Sequence, residues 1–374
     1  MVGSSIGEDL SRRVCELVAH DLVREPKLAY CALMYGSSPS HTIIANALAM
    51  ADSLQSSEFP LTLLVTHDVP DFAIDLFRSS SLFEEIRTVP YLMADAGLFK
   101  KDWFREVFTK LHIFNLTDFD KVLFLDLDVV VTDVAAMDAL LRSSMRFAAM
   151  ENSKGHRAGS MWLRHGEVMG DHCGLINAGV ILVSPDATLF DLMVADLSHP
   201  SPSHVPGMTP EQFYLARVFG RHMHHLDQRY NFEVQLHGGV PVTKLWRSAD
   251  YNEVVCFHFS GGDPLARLRD SHPDWGCQME KYSAKEKWNS EFSSSEKAVA
   301  NNRAKQAFSK WAYHLSHACS LLKVGNVVVG PELVDLIQAG SMQEPQKPYR
   351  RPPPAPSSPE PPKPSRRPPP VIPS

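Results

Sequence analysis

Residues 117–133 read TDFDKVLFLDLDVVVTD, and the fold turns on how this stretch is taken. Residues 122–131 are almost wholly apolar, rich in Val with Phe124 among the leucines, a composition that suits a strand buried on both faces of a sheet. Two carboxylates interrupt the run. Asp126 and Asp128 stand two apart, so an unbroken extended backbone would send both side chains to one side. Burying either as a bare anion is costly, so a positive group must meet them or the strand must end there and open to solvent. A divalent cation meets the first condition: hard oxygen ligands suit Mg²⁺ or Mn²⁺, and such ions bring phosphate oxygens with them.

Three readings of the acid pair compete. It could end a strand, with the acids facing water and capping the next helix. It could belong to a phosphatase of the haloacid-dehalogenase type, with the first Asp a nucleophile and the second an acid/base. That motif opens its domain, whereas more than a hundred residues precede this one, and no downstream lysine and paired acids match it. Or the acids could hold a metal on the diphosphate of a sugar nucleotide.

Upstream, EVFTKLHIFNLTDFD keeps Val107, Leu111 and Phe114 at helical spacing, a core-facing helix leading into the strand. Lys110 lies off that stripe, either as a solvated lysine or with its ammonium reaching a diphosphate. Earlier still, LAYCALMYGSS from Leu28 is a short apolar run ending in small residues, a turn that lets backbone approach a ligand. A helix over 41–54, a strand over 61–66, a helix around 71–77 and a strand near 86–89 follow. This alternation makes the chain α/β, with a parallel sheet covered by helices and ligands gathered at the strands' carboxyl ends, near Gly36 and residues 126–128.

Downstream, a short helix and a strand over 147–150 lead into ENSKGHRAGSMWLRHGEVMGDHC, a polar loop without periodicity that reads as a flap. CGLINAGVILVSPD then places Asn177, Ala178 and Gly179 as a small amide-bearing turn just before another buried strand. At TPEQFYLARVF a helix begins: Thr209 can cap it, Pro210 suits its first position, and Glu211 favours the dipole. His222, His224 and His225 have no acid or cysteine at ligand spacing and fit a partly exposed strand. EVVCFHFSGG is a strand with His258 near its end and small residues after it, where an imidazole could complete a metal site and backbone donors could reach phosphate.

The flanks differ in kind. Residues 1–26 form an N-terminal helical extension with Leu10, Val14, Leu17, Val18 and Leu22 at helical spacing. Residues 271–343 are a C-terminal helical segment, mainly helix over 288–322. Residues 344–374 hold about half of the chain's 28 prolines and form a disordered, polyproline-type tail suited to a proline-reading domain. A net charge of −6 excludes the basic field that nucleic acid requires. Six cysteines without a Cys-x-x-Cys pair point to reduced thiols. With no apolar run long enough to span a membrane and no signal-peptide pattern, the expected location is cytoplasmic.

TKLHIFNLTDFDKVLFLDLDVVV, INAGV, the Glu211–Gln212 helix start and HFSG, in this order, resemble glycosyltransferase family eight, in particular glycogenin and the plant glycogenin-like glucuronosyl and starch-initiation proteins. The resemblance covers residues 28–268. It implies a GT-A domain over 27–270, Rossmann-like, with a mixed, mostly parallel sheet and helices on both faces. It implies a metal-dependent, retaining hexosyltransferase: Asp126, Asp128 and His258 would ligate Mn²⁺ or Mg²⁺ on a UDP-sugar, and Lys110 would contact the donor. Asn177 and Gln212 would hold the sugar, and Glu211, in place of the family's usual Asp, would stand near the anomeric carbon. Leu33, Tyr35, Gly36 and Ser37 would bind uracil and ribose, with Leu127 and Gly261 completing the donor site. The family's lysine after the His-Phe-x-Gly segment is absent, with Asp263 close to that position and Arg267 the nearest cation; with the altered acid, this leaves as an alternative a catalytically weak scaffold of the same fold acting through its proline-rich tail. Tyr251, the sole tyrosine between Tyr230 and His258, abuts the strand, which favours an external glycan, protein or lipid acceptor over self-glucosylation.

Overall fold

The computed structural model describes residues 2–19, 25–94, 106–151, 165–169, 175–199, 209–234, 253–260 and 294–321. Helix α1 (Val2–Ala19) precedes strand β1 (Leu28–Met34), helix α2 (His41–Ser53), strand β2 (Leu61–Thr66), helix α3 (Asp71–Ser80) and strand β3 (Glu85–Val89). A 3-10 helix (Val107–Asn115) leads to β4 (Lys121–Leu125), β5 (Val129–Val131), α4 (Val134–Arg142) and β6 (Ala148–Glu151). Then come β7 (Ile176–Val183), α5 (Ala187–Leu197), α6 (Pro210–Phe219), β8 (His224–His225), β9 (Phe232–Glu233), β10 (Cys256–His258) and α7 (Ser294–Leu321).

Seven strands form one sheet in the order β3-β2-β1-β4-β7-β6-β8. β7 pairs antiparallel with both β4 and β6, while the other pairings are parallel, so β7 alone runs against the rest. The period of two along each strand divides the core. Tyr30, Ala32, Leu123 and Leu125 face α2, α3, α4 and α7, whereas Cys31, Leu33, Val122 and Phe124 face α1, the 3-10 helix, α5 and α6. A sheet covered on both faces explains why these strands read as continuous apolar runs.

The organising stretch is not one strand. β4 stops at Leu125, residues 126–128 turn, and the chain re-enters a second sheet of order β5-β10-β9 through Val129. The valines after the turn are buried there, and Val129 pairs with His258. Asp133, at the stretch's end, takes the capping role: its carboxylate accepts from the Ala136 N–H at 3.0 Å and starts α4.

Both flanking helices share the cores. α1 packs on α5 and α6 through Leu10 and Val14, and Arg13 makes a two-pronged ion pair (2.9 and 2.6 Å) with Asp186, the residue that caps α5. α7 packs along α2, burying Trp311, whose indole N–H donates to Asn46 Oδ1 at 3.0 Å. His314 and His317 both meet the buried Asp52 carboxylate. The four described cysteines, Cys15, Cys31, Cys256 and Cys319, are free thiols. No helix among the described residues is long and apolar enough to cross a membrane. The flap over 151–173 falls mostly outside the described residues, and the proline-rich tail lies wholly outside them.

Candidate active site

From β1 the chain steps outward to β2 and β3, then crosses back to β4 on β1's other side. The crevice at the carboxyl ends of β1 and β4 is therefore the topological switch point, where open α/β sheets bind ligands. Tyr35 and Gly36 leave β1 there, and Asp126 leaves β4.

Each acid is tied to a different part of the chain. The Asp126 N–H donates to the Gly179 carbonyl of β7 at 2.8 Å, and the Asp128 carbonyl accepts from the Phe259 N–H, just past β10, at 2.8 Å. One oxygen each from Asp126 and Asp128 and one ring nitrogen of His258 lie within 4.8 Å of one another. The acids are partly open to solvent and His258 is buried. Two carboxylates and an imidazole could hold Mn²⁺ or Mg²⁺, with the exposed side left for water or phosphate oxygens.

The charge of the acids does not by itself demand a metal, because the fold supplies two cations. Lys110 donates to Asp126 Oδ1 at 2.9 Å and to the Ala178 carbonyl at 3.1 Å, with its ammonium 4.9 Å from the Phe124 ring centre. His258 Nε2 lies 3.2 Å from Asp128 Oδ1. Burial works against the Lys110 ammonium, yet Asp126, Glu211 and Asp128 outweigh it and its pKa is raised. Burial likewise opposes the imidazolium, but Asp128 lifts His258 to about 9. The Asp128 carboxyl, pushed up by burial, is pulled further down by His258 and ends below the usual range.

Lys110 is not a solvated residue beside an apolar stripe. Its helix is 3-10, and residues 108–114 are all buried, so Thr109, Lys110 and His112 are enclosed along with Leu111 and Phe114. Only the partners of the ammonium make that tolerable. Glu211 is no ordinary first-turn acid either. It is buried, burial pushes its carboxyl above the usual range against the pull of Lys110, and Asp126 adds to the rise. Gln212 follows it on α6, half-buried, with its side chain hydrogen-bonded to Glu211. Thr209 makes no side-chain cap.

Asn177, Ala178 and Gly179 lie within β7, not in a turn before it. Ala149 pairs with Ile181 but the next residue, Met150, pairs with Asn177, leaving residues 178–180 as a bulge beside the site. The Asn177 amide is engaged inside the protein: Oδ1 accepts from the Gly179 N–H (2.9 Å) and from Asn231 Nδ2 (3.0 Å), and Nδ2 donates to Glu233 Oε1 (2.9 Å). Asn231 Oδ1 faces His258 Nδ1 at 2.8 Å, and Ser260 donates to Glu233 at 2.9 Å. Asn231 and Glu233 were not legible in QRYNFEV, which carries neither charge clustering nor a motif.

At the other end of the crevice, Gly36 adopts φ +102°, a left-handed conformation that favours glycine, and its N–H donates to Thr66 Oγ1 at 3.3 Å. The Thr66 hydroxyl donates to Asp68 (2.6 Å), as does the Tyr91 hydroxyl (3.0 Å), and the Tyr91 ring meets Tyr35 edge-on. Burial raises the Tyr35 phenol, with the negative charges of Glu211 and Asp126 adding to the rise. Ser37 is exposed and Leu127 half-buried. Leu33 is buried in the core on the face of the sheet that α1, the 3-10 helix, α5 and α6 cover. Gly261, Asp263, Arg267 and Tyr251 lie outside the described residues. His224 and His225 form edge strand β8, away from the acid group, as a partly exposed strand.

No family model matches the chain. It is 26% identical over 273 residues to the uncharacterized protein R707 of Acanthamoeba polyphaga mimivirus, covering 68% of this chain and 90% of that one. It is 28% identical over 168 residues to inositol phosphorylceramide glucuronosyltransferase 1 of Arabidopsis thaliana, covering 45% of this chain and 26% of the plant protein. The chain thus matches about a quarter of that relative's length. Among solved structures, mouse xyloside xylosyltransferase 1 aligns with 63% of this chain and 99% of its own, at 15% identity and a TM-score of 0.46. With the sheet topology and the acid pair at its switch point, the likeness to the plant protein makes this chain glycosyltransferase-like.

Proposed function

We propose that the chain is a metal-dependent, retaining, glycogenin-like hexosyltransferase that moves glucose or a related sugar from a UDP-sugar to a hydroxyl of a glycan, protein or lipid. The observation that carries this reading is the convergence of Asp126, Asp128 and His258 within 4.8 Å, beside a buried lysine, at the switch point of the sheet. A Mn²⁺ or Mg²⁺ ion held by these three would act as a Lewis acid on the diphosphate.

The residues of the chain do the rest. Lys110, kept charged by its acidic neighbours, turns its ammonium toward the leaving phosphate as negative charge builds there. Tyr35, Gly36 and Ser37, with the backbone of Leu33 and Leu127, receive the nucleoside. Glu211 and Gln212 at the start of α6 face the sugar, with Glu211 nearest the anomeric carbon. Gly261 lies outside the described residues and joins the donor site in this reading by the sequence resemblance alone. The name of the plant relative, an inositol phosphorylceramide glucuronosyltransferase, supports keeping a lipid among the candidate acceptors.

The test needs no acceptor. Purified chain with Mn²⁺ and a panel of UDP-sugars should release UDP slowly, and EDTA should stop it. Asp128→Ala should lower the rate about a hundredfold or more, the scale of several kcal/mol of Lewis-acid stabilisation, with circular dichroism unchanged. Undiminished release in EDTA would count against metal dependence.

A further inference from the structure

The hydrogen bonds behind His258 run in one direction. The Gly179 N–H is a backbone donor and cannot reverse, so the Asn177 atom that meets it at 2.9 Å is the carbonyl oxygen. Asn231 also approaches that oxygen, at 3.0 Å, and must present its NH₂ there. Its own carbonyl oxygen is then the atom 2.8 Å from His258 Nδ1, so Nδ1 carries a proton and donates it. The far end agrees: the Asn177 NH₂ points at the Glu233 carboxylate, which can only accept. Asn177, Asn231 and His258 are all buried, so the protein groups named here set the direction of the chain.

We propose that Asn231 and Asn177, with Glu233 as anchor, are positioning residues that fix the tautomer of His258, so that Nε2 alone faces the two aspartates as a lone-pair donor to a divalent cation. This rests on the metal reading above. It also reassigns Asn177, whose amide is spent on this relay and not on a sugar hydroxyl. An imidazole free to exchange its tautomers would offer the cation a protonated nitrogen part of the time, and the ring would lose its orientation.

The test is binding of Mn²⁺ alone to the full chain, read from the loss of the free-ion electron paramagnetic resonance signal. Asn231→Leu should weaken binding about 10- to 100-fold. In a His258→Ala background the same substitution should change nothing further, because Asn231 acts through the ring. Where Asn231→Leu fails to fold, Asn177→Asp supplies the same reading. It sets a carboxylate against Glu233 and should weaken binding, and adding Glu233→Gln restores a donor there and should recover it. Unchanged affinity in Asn231→Leu, an equal loss with and without His258, or no rescue by Glu233→Gln would overturn the relay alone. Failure of the wild-type chain to bind Mn²⁺ would overturn the metal reading and the relay together.

Discussion

Gly179 lies against the His258 ring: a Cβ added to it would come within 2.3 Å of Cε1 and 2.6 Å of Nδ1. Neither side can yield freely, since Gly179 is held through its carbonyl by Asp126 and through its N–H by Asn177, and the ring is held by Asn231. Gly179→Ala should therefore cost about 1–3 kcal/mol of stability, as overpacking does, and should weaken Mn²⁺ binding as well. Thermal unfolding and a Mn²⁺ titration check the two effects; wild-type behaviour in both would mean that the close contact is not there.

Lys110 and Asp126 form a pair in which the lysine is enclosed and the acid keeps some solvent. Lys110→Met should preserve packing while stranding Asp126. The expected loss is about 1–3 kcal/mol, below the 3–5 kcal/mol for breaking a fully buried pair. Donor hydrolysis should fall more than a hundredfold even where the variant is fully folded, since the methionine cannot face the leaving phosphate. Near-normal turnover by Lys110→Met would remove Lys110 from the reaction.

His258 stands at about 9, above the ordinary imidazole value of about 6.5. Its pairing with Asp128 thus stabilises the metal-free fold fully between about pH 4, where Asp128 is ionised, and about pH 6.5, and the contribution fades as the pH rises through about 9. A cation must displace the Nε2 proton, so the sign for metal is opposite: apparent Mn²⁺ affinity should rise by up to about tenfold per pH unit toward 9, with one proton released per ion. Calorimetry in buffers of different ionisation enthalpy counts that proton. An affinity flat between about pH 6.5 and 8.5 would separate His258 from the metal.

Trp311 ties the C-terminal helix to α2, fully buried and hydrogen-bonded to Asn46. Trp311→Ala should cost about 3–5 kcal/mol, the range for deleting a buried indole. A chain ending at residue 293 should melt lower still, because the face of α2 beneath α7 would open to water. Equal melting temperatures with and without α7 would make the helix a passenger.

Much of the architecture was legible because it rests on local signals. Alternating strands and helices, the doubly buried valine-rich runs, and the glycine turn after β1 all follow from periodicity and backbone sterics that neighbours in sequence determine. The acid pair was legible too, since a carboxylate inside an apolar run has few explanations. What misled was the assumption that residues 122–131 form one strand. Both halves are apolar for the same reason, burial, yet they serve different sheets, and no local feature marks the change except the acids themselves.

By itself the sequence determined the α/β order, the acid pair inside an apolar run, and a net negative charge of −6. Tertiary structure alone decided what those acids meet. Off its apolar stripe, Lys110 could be read as solvated or as a donor contact, and only the fold, which buries residues 108–114 in succession, removed the solvated choice. His258, Asn231 and Asn177 come from three separate stretches, and a hydrogen-bond direction set by one backbone N–H in β7 becomes definite only when the fold brings them together.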